Sequence, residues 1–173
     1  MEYPILGTEP LPVEFANTLY GGVDCLSTPE LAAGWFAEIA LAALAAGCAR
    51  ALRDAEHGLL DARSKGLPLD EAQVETVNAH AAAAPTALRL EPAGDGWESR
   101  WAETATGPAA VLGRIATCAV ELLAGGAPLR RCAAPDCGVL FVPQHARRRF
   151  CHPTCSGRTR QARYHRRRTE DPA

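Results

Sequence analysis

The chain has 173 residues, of which 47% are hydrophobic and 22% charged. That suits one domain with a modest core and a small attached module, and it excludes a TIM barrel or a two-domain dinucleotide-binding enzyme. The formal net charge of −2 argues against a polyanion partner only as a total, because residues 1–129 carry seven basic and seventeen acidic side chains while residues 130–168 carry eleven arginines and one acid, Asp136.

Charge asymmetry of this kind suggests a regulatory or ligand-binding part joined to a polyanion-binding part. Met1-Glu2-Tyr3-Pro4 lacks the positive n-region of a signal peptide. The apolar stretch Leu31–Ala49 is mostly alanine and contains Glu38, which reads as a core helix rather than a membrane span. Seven cysteines without a leader point to a reducing cytoplasm, where clustered thiols bind metal more often than they form disulfides.

In chain order, Val13–Leu19 alternates partly and fits a short strand or a helical turn. Ser27-Thr28-Pro29-Glu30 starts a helix running to about Gly47, with a capping hydroxyl, a proline for the first turn and an acid at the positive dipole end. A second helix runs from about Cys48 to Lys65, and Asp70 with Gln73 opens a third that ends by Pro85. Thr86–Glu91 and Trp97–Glu103 flank the turn cluster Pro92–Gly96 and predict a β-hairpin. Pro108 begins another helix, with Val111, Leu112, Ile115, Ala119, Leu122 and Leu123 on one stripe, and Gly125-Gly126 ends it. Trp35, Trp97, Trp101, Cys25, Cys48 and Cys118 are expected in the core.

From Arg130 the text changes character. Cys132-(x4)-Cys137-(x13)-Cys151-(x3)-Cys155 offers two close pairs of thiols across a short loop. Each pair spans about one turn, so four sulfurs can face one tetrahedral zinc ion. Pro135-Asp136-Cys137-Gly138 reads as a knuckle, and Val139–Val142 as a strand covering it. His152 and, more weakly, His145 are substitutes, but all four cysteines have ligand spacing. So small a segment needs the metal's free energy to fold. Around it stand Arg147, Arg148 and Arg149, then Arg158, Arg160, Arg163, Arg166, Arg167 and Arg168 on a predicted helix over 159–168. Tyr164 on that helix can pack on the module or stack on a base. Four thiolates close a zinc shell, and no GxSxG, HExxH, P-loop or GxGxxG motif occurs, so an enzyme is not expected. The arginine array fits DNA phosphates. RNA and a thiol/zinc redox switch are the alternatives.

Residues 130–168 resemble the CGNR-type zinc finger, which has a C-x4-C knuckle, an Arg-Arg-aromatic-Cys segment and a Cys-Gly-Asn-Arg motif opening a basic helix. Arg148-Arg149-Phe150-Cys151 fits the middle segment, and Cys155-Ser156-Gly157-Arg158 stands where the name-giving motif belongs, matching its cysteine and arginine. Upstream, Phe15-Ala16-Asn17-Thr18 is similar to the Phe-x-Asn-Thr opening of the ABATE domain that precedes this finger. The resemblance implies a stress-induced transcription regulator that binds DNA, with a ligand-sensing N-terminal domain in which Asn17 is the polar residue singled out. Backbone bonds at a turn are the other reading of Asn17. The whole then divides into a helical ABATE-like domain, 1–128, and a finger, 129–173. The fold class is mainly α with a small β-hairpin (α+β), ending in the zinc module and its basic helix. One structural Zn²⁺ is the expected cofactor. The expected partners are DNA, a small-molecule ligand and a second copy of the chain, on the nucleoid in the cytoplasm.

Overall fold

A computed structural model of the chain describes residues 7–39, 46–103 and 105–170, without the side chains of 46–48, 86, 101, 103 and 166–170. The opening motif forms a short helix, α1 (Leu11–Ala16), with Pro12 in its first turn, and not a strand. It buries Val13, Phe15 and Ala16. A tight hairpin follows, β1 (Leu19–Tyr20) against β2 (Val23–Asp24), turning on Gly21 and Gly22 at φ 50° and 82°. Two positive φ values in a two-residue loop match the twist of the strands, which explains the glycine pair.

Thr28 caps α2 (Pro29–Glu38) as expected, its hydroxyl accepting from the Leu31 N–H at 3.3 Å. The helix stops at Glu38 instead of running to Gly47, and 40–45 lie outside the described residues. Helix α3 (Ala46–Ser64) lays Leu52, Leu59 and Leu60 on the core. Asp70 caps α4 (Glu71–Ala83) by accepting from the Gln73 N–H at 2.9 Å. The long hairpin β3 (Thr86–Ala93) with β4 (Gly96–Glu103) is tighter than its turn residues suggested: Ala93 pairs with Gly96, leaving Gly94-Asp95 as the loop. Then α5 (Gly107–Ala124) buries Val111, Leu112, Ile115 and Ala119, with Leu123 packed beside them. By length and composition α5 could cross a membrane, but it is packed into the core by those side chains.

The core lies between α1, α2, α3, α4 and α5, with Val77 contributed by α4. Phe15, Trp35 and Phe36 cluster at its centre, with ring centroids 5.0–6.3 Å apart. Arg53 is buried on α3 and is held bidentately by Asp24 at 2.8 and 3.1 Å, which pins the first hairpin to the helix. That bond from Arg53 holds the Asp24 carboxyl below its usual range. Two sequence expectations fail here. Trp97 is 69% exposed, because no described element packs extensively over the hairpin that carries it. Cys118 is only half-buried, whereas Cys25 is fully buried as expected. The side chains of Cys48 and Trp101 lie outside the described set.

Glu56 on α3 is fully buried, and neither carboxylate oxygen has a hydrogen-bond partner. Burial pushes its acid well above the carboxylate range, so the folded chain holds it protonated. Folding therefore takes up a proton wherever the pH lies between the unfolded pKa of about 4.3 and the raised folded value, and the cost grows as pH rises through that window. Glu56→Met is expected to stabilise the protein by about 1–3 kcal/mol at pH 7. The gain should shrink as pH falls toward ~4. Urea unfolding at a series of pH values checks this, and a gain that does not vary with pH would contradict it.

Candidate metal centre and nucleic-acid surface

The last segment is built on a two-stranded ladder, β5 (Arg130–Arg131) with β6 (Leu140–Phe141), and on helix α6 (Pro153–Glu170). Between the strands the chain makes the expected knuckle. Asp136 at φ 60° and Gly138 at φ 73° reverse the backbone around Cys137. The Cys132 N–H donates to the Val139 carbonyl at 2.8 Å, closing the loop. The first hairpin presses on it: a Cβ at Gly21 would stand 3.0 Å from the Asp136 carbonyl, so the close approach as well as the turn requires glycine. Helix α6 begins earlier than the sequence suggested, at Pro153, which puts Cys155 in its first turn.

These elements bring Cys132, Cys137, Cys151 and Cys155 together, all buried, with their sulfurs within 4.8 Å of one another. Cys137 and Cys151 are 3.6 Å apart, and Cys155 stands 3.7 Å from each of them. Four sulfurs about 2.3 Å from one tetrahedral ion are about 3.8 Å apart. Packed this closely, the thiols share protons. Cys132 is pulled down to about 5, first by the thiol of Cys151 bonded to it. Cys137 is pushed up to about 11, chiefly by burial, and Cys151 is pushed higher still, first by its bond to Cys132. A divalent cation at the centre removes that conflict and lets all four ionise. The donor set fits one structural Zn²⁺. The Cys151 N–H and the Arg158 guanidinium donate to the Cys132 and Cys155 sulfurs at 3.5 and 3.8 Å, which spreads the thiolate charge. His152 is exposed and bonds Thr154, outside the cluster.

The arginines divide into two sets. Arg147, Arg149, Arg160 and Arg163 are exposed and, among the described residues, make no ion pair. Arg158 is exposed as well, and leans on Cys155. The side chains of Arg166, Arg167 and Arg168 lie outside the described set. Arg147 and Arg149 line a groove of about 530 Å³ with His145, His152, Gln144 and the start of α6. Arg148 differs: its guanidinium donates to the Cys151 and Val142 carbonyls and to Glu9, and lies 4.7 Å over the Phe141 ring. It is a strut inside the module. Arg130, by donating to the Ala146 and Arg148 carbonyls at 2.8 Å, holds the same loop.

The module is not tethered loosely. Asn17 is 1% exposed, and its amide accepts from the Leu140 N–H and donates to the Leu140 carbonyl, both at 2.8 Å. Glu9 accepts from the Val142 N–H at 2.8 Å and from Arg148 at 3.2 Å, and Asp61 accepts from Arg131 at 2.9 Å. Val13, Ala16, Leu60, Leu129 and Leu140 form one apolar cluster across the junction. Neither Glu9 nor Asp61 carried a signal in the sequence. The backbone-bonding reading of Asn17 is the one its geometry matches, though its partner is a distant strand and not a local turn.

A family model, ABATE, described as "Putative stress-induced transcription regulator", matches residues 9–126. A second, the CGNR zinc finger, matches residues 129–168. No curated protein matches the chain.

Proposed function

Since the chain belongs to the ABATE family of transcription regulators and carries a CGNR zinc finger, we propose that it is a zinc-dependent DNA-binding regulator. In this reading residues 1–128 form the scaffold and sensing domain, and 129–173 the finger. Cys132, Cys137, Cys151 and Cys155 hold the metal. Arg147, Arg149, Arg158, Arg160 and Arg163 contact nucleic acid, joined by Arg166 and Arg167 further along α6. The observation that carries the reading is the set of exposed arginines, Arg147 to Arg163, that have no acidic partner among the described residues and are anchored at one end by the metal cluster. Most would meet phosphate and fix the register, while Arg158 or Arg160 would read guanine edges. The protein would then act in the cytoplasm, on the nucleoid.

Neutralising about six phosphates gives a log–log salt slope of about −5 for duplex affinity. A slope near zero would overturn the proposal. Arg163→Ala should lower affinity for all sequences and flatten the slope by about 1, whereas loss of the guanine reader, Arg158 or Arg160, should relax the sequence preference. Arg148→Ala should leave the slope alone and lower the melting temperature instead. Tyr164, 57% exposed on α6, offers a stacking face and supports RNA as the second reading. Competition between duplex DNA and structured RNA separates the two. For a small-molecule ligand of the N-terminal domain the support is a cleft of about 240 Å³ between Leu59, Leu69, Val74, Val77 and Leu123.

A further inference from the structure

Among the described elements, none other than its own partner strand packs extensively on either strand of the β3–β4 hairpin. Facing residues of an antiparallel pair share a side of the sheet. The register therefore puts Leu88, Leu90 and Pro92 on one face with Trp97 and Ser99, places Trp101 opposite Leu88, and sets the pair Thr86 and Glu103 at the end of the same face. The other face holds Arg89, Glu91, Glu98 and Arg100, where Arg100 reaches Glu91 at 3.5 Å and Glu98 at 2.6 Å. One side is charged, with Arg100 paired to both glutamates. The other is flat, without charge among its described side chains, and open: Leu88, Leu90 and Trp97 are 58%, 68% and 69% exposed. An isolated two-stranded ribbon is marginal in water unless something covers its apolar face. Contiguous apolar surface of this kind marks an interaction site.

We propose that this face docks the same face of a second copy, making a two-fold dimer. Two arguments select that occupant. The first is area: pairing the two faces would remove roughly 900 Å² from water, near the ~1,000 Å² that a specific interface needs. The second is charge. Residues 1–129 are strongly acidic, so two copies meeting elsewhere on them would oppose many like charges, whereas the register gives this face a single acid, Glu103, at the end of the hairpin away from Trp97. A two-fold contact of a surface with itself is the commonest closed assembly. It leaves both fingers free, and the junction through Asn17, Glu9 and Asp61 fixes each finger relative to its own copy. The contact is small, so the dimer should be half-formed on the order of 10 µM.

Sedimentation velocity of the zinc-loaded full chain over about 1–200 µM, without DNA, tests this directly. A concentration-dependent shift to twice the monomer mass is expected. A monomer throughout overturns the proposal, whether the face is bare or covered by the chain's own residues. Leu90→Glu and Trp97→Ala should each weaken the dimer at least ~10-fold while circular dichroism and zinc content stay unchanged. Val120→Glu, at an exposed apolar side chain of α5 and not on the hairpin, should leave it intact. A dimer that survives both hairpin substitutions overturns the proposal. Ser99→Cys gives a second readout. It lies on the docking face and should cross-link two copies, whereas Arg89→Cys on the other face should not. Because no arm involves DNA, failure here is separable from failure of the DNA-binding reading.

Discussion

Removing the metal by chelation is expected to unfold residues 129–170 and to lower duplex affinity at least ~100-fold at physiological salt. The finger's own apolar cluster consists of Cys132, Ala134, Cys137, Val139, Phe141, Cys151 and Cys155. Four of those seven side chains are the thiols, so without a cation the centre holds only Ala134, Val139 and Phe141, with Tyr20 and Phe150 packed at its edge. That burial falls far short of the entropy of ordering the segment, whereas structural zinc supplies about 10–16 kcal/mol. The basic helix depends on the same site. Cys155 lies in the first turn of α6 and Thr159 bonds its carbonyl at 2.8 Å, but beyond them Arg160 and Arg163 repel at helical spacing. The loss should therefore show as reduced far-UV helicity together with lost binding. Cys137→Ser and Cys151→Ser should behave like the chelated protein. Cys25→Ser and Cys118→Ser should retain one zinc per chain, because neither thiol belongs to the cluster. Metal-free protein that keeps its helicity and its DNA affinity would overturn both the ligand assignment and the role given to α6.

What could be read from the sequence was what is local in it. Thr28 before Pro29 and Asp70 before Gln73 announced α2 and α4, because a cap and the N–H groups it bonds lie within one turn. The four thiols were legible for the same reason: ligand pairs on a knuckle sit a few residues apart. The β1–β2 hairpin was not, since strands of two residues have no periodicity and only Gly21-Gly22 hints at them. Trp97 was misread because apolar residues on a strand imply a buried face, and nothing in the strand says whether a cover exists. Arg148 looked like its neighbours Arg147 and Arg149. Its difference comes from Glu9 and Phe141, which only the fold brings to it. The junction is the extreme case, joining Asn17 to Leu140 and Glu9 to Val142 across most of the chain.

That junction sets the second large expectation. Asn17→Ala should cost about 2–4 kcal/mol and lower Tm by roughly 5–15 °C. The carboxamide acts as one more peptide group beside β6, donating to the Leu140 carbonyl and accepting from its N–H. Leu140 is fully buried. Truncating Asn17 would thus strand two backbone groups without partners or water, and stranded groups cost more than the net worth of the bonds lost. Asn17→Asp keeps the acceptor, removes the donor and buries a charge, so it should be at least as damaging. Neither change touches the thiols, and zinc content should stay at one per chain. What should change is cooperativity: the finger and the helical core now share the Val13–Leu140 cluster and the Glu9 bonds, and with Asn17 gone they should melt in two steps instead of one. Glu9→Gln combined with Asn17→Ala should show a coupling energy, since they act two residues apart, on Leu140 in β6 and on Val142 just beyond it. Calorimetry with zinc present decides the matter, and an unchanged single transition in Asn17→Ala would show that the two parts hold together without this clamp.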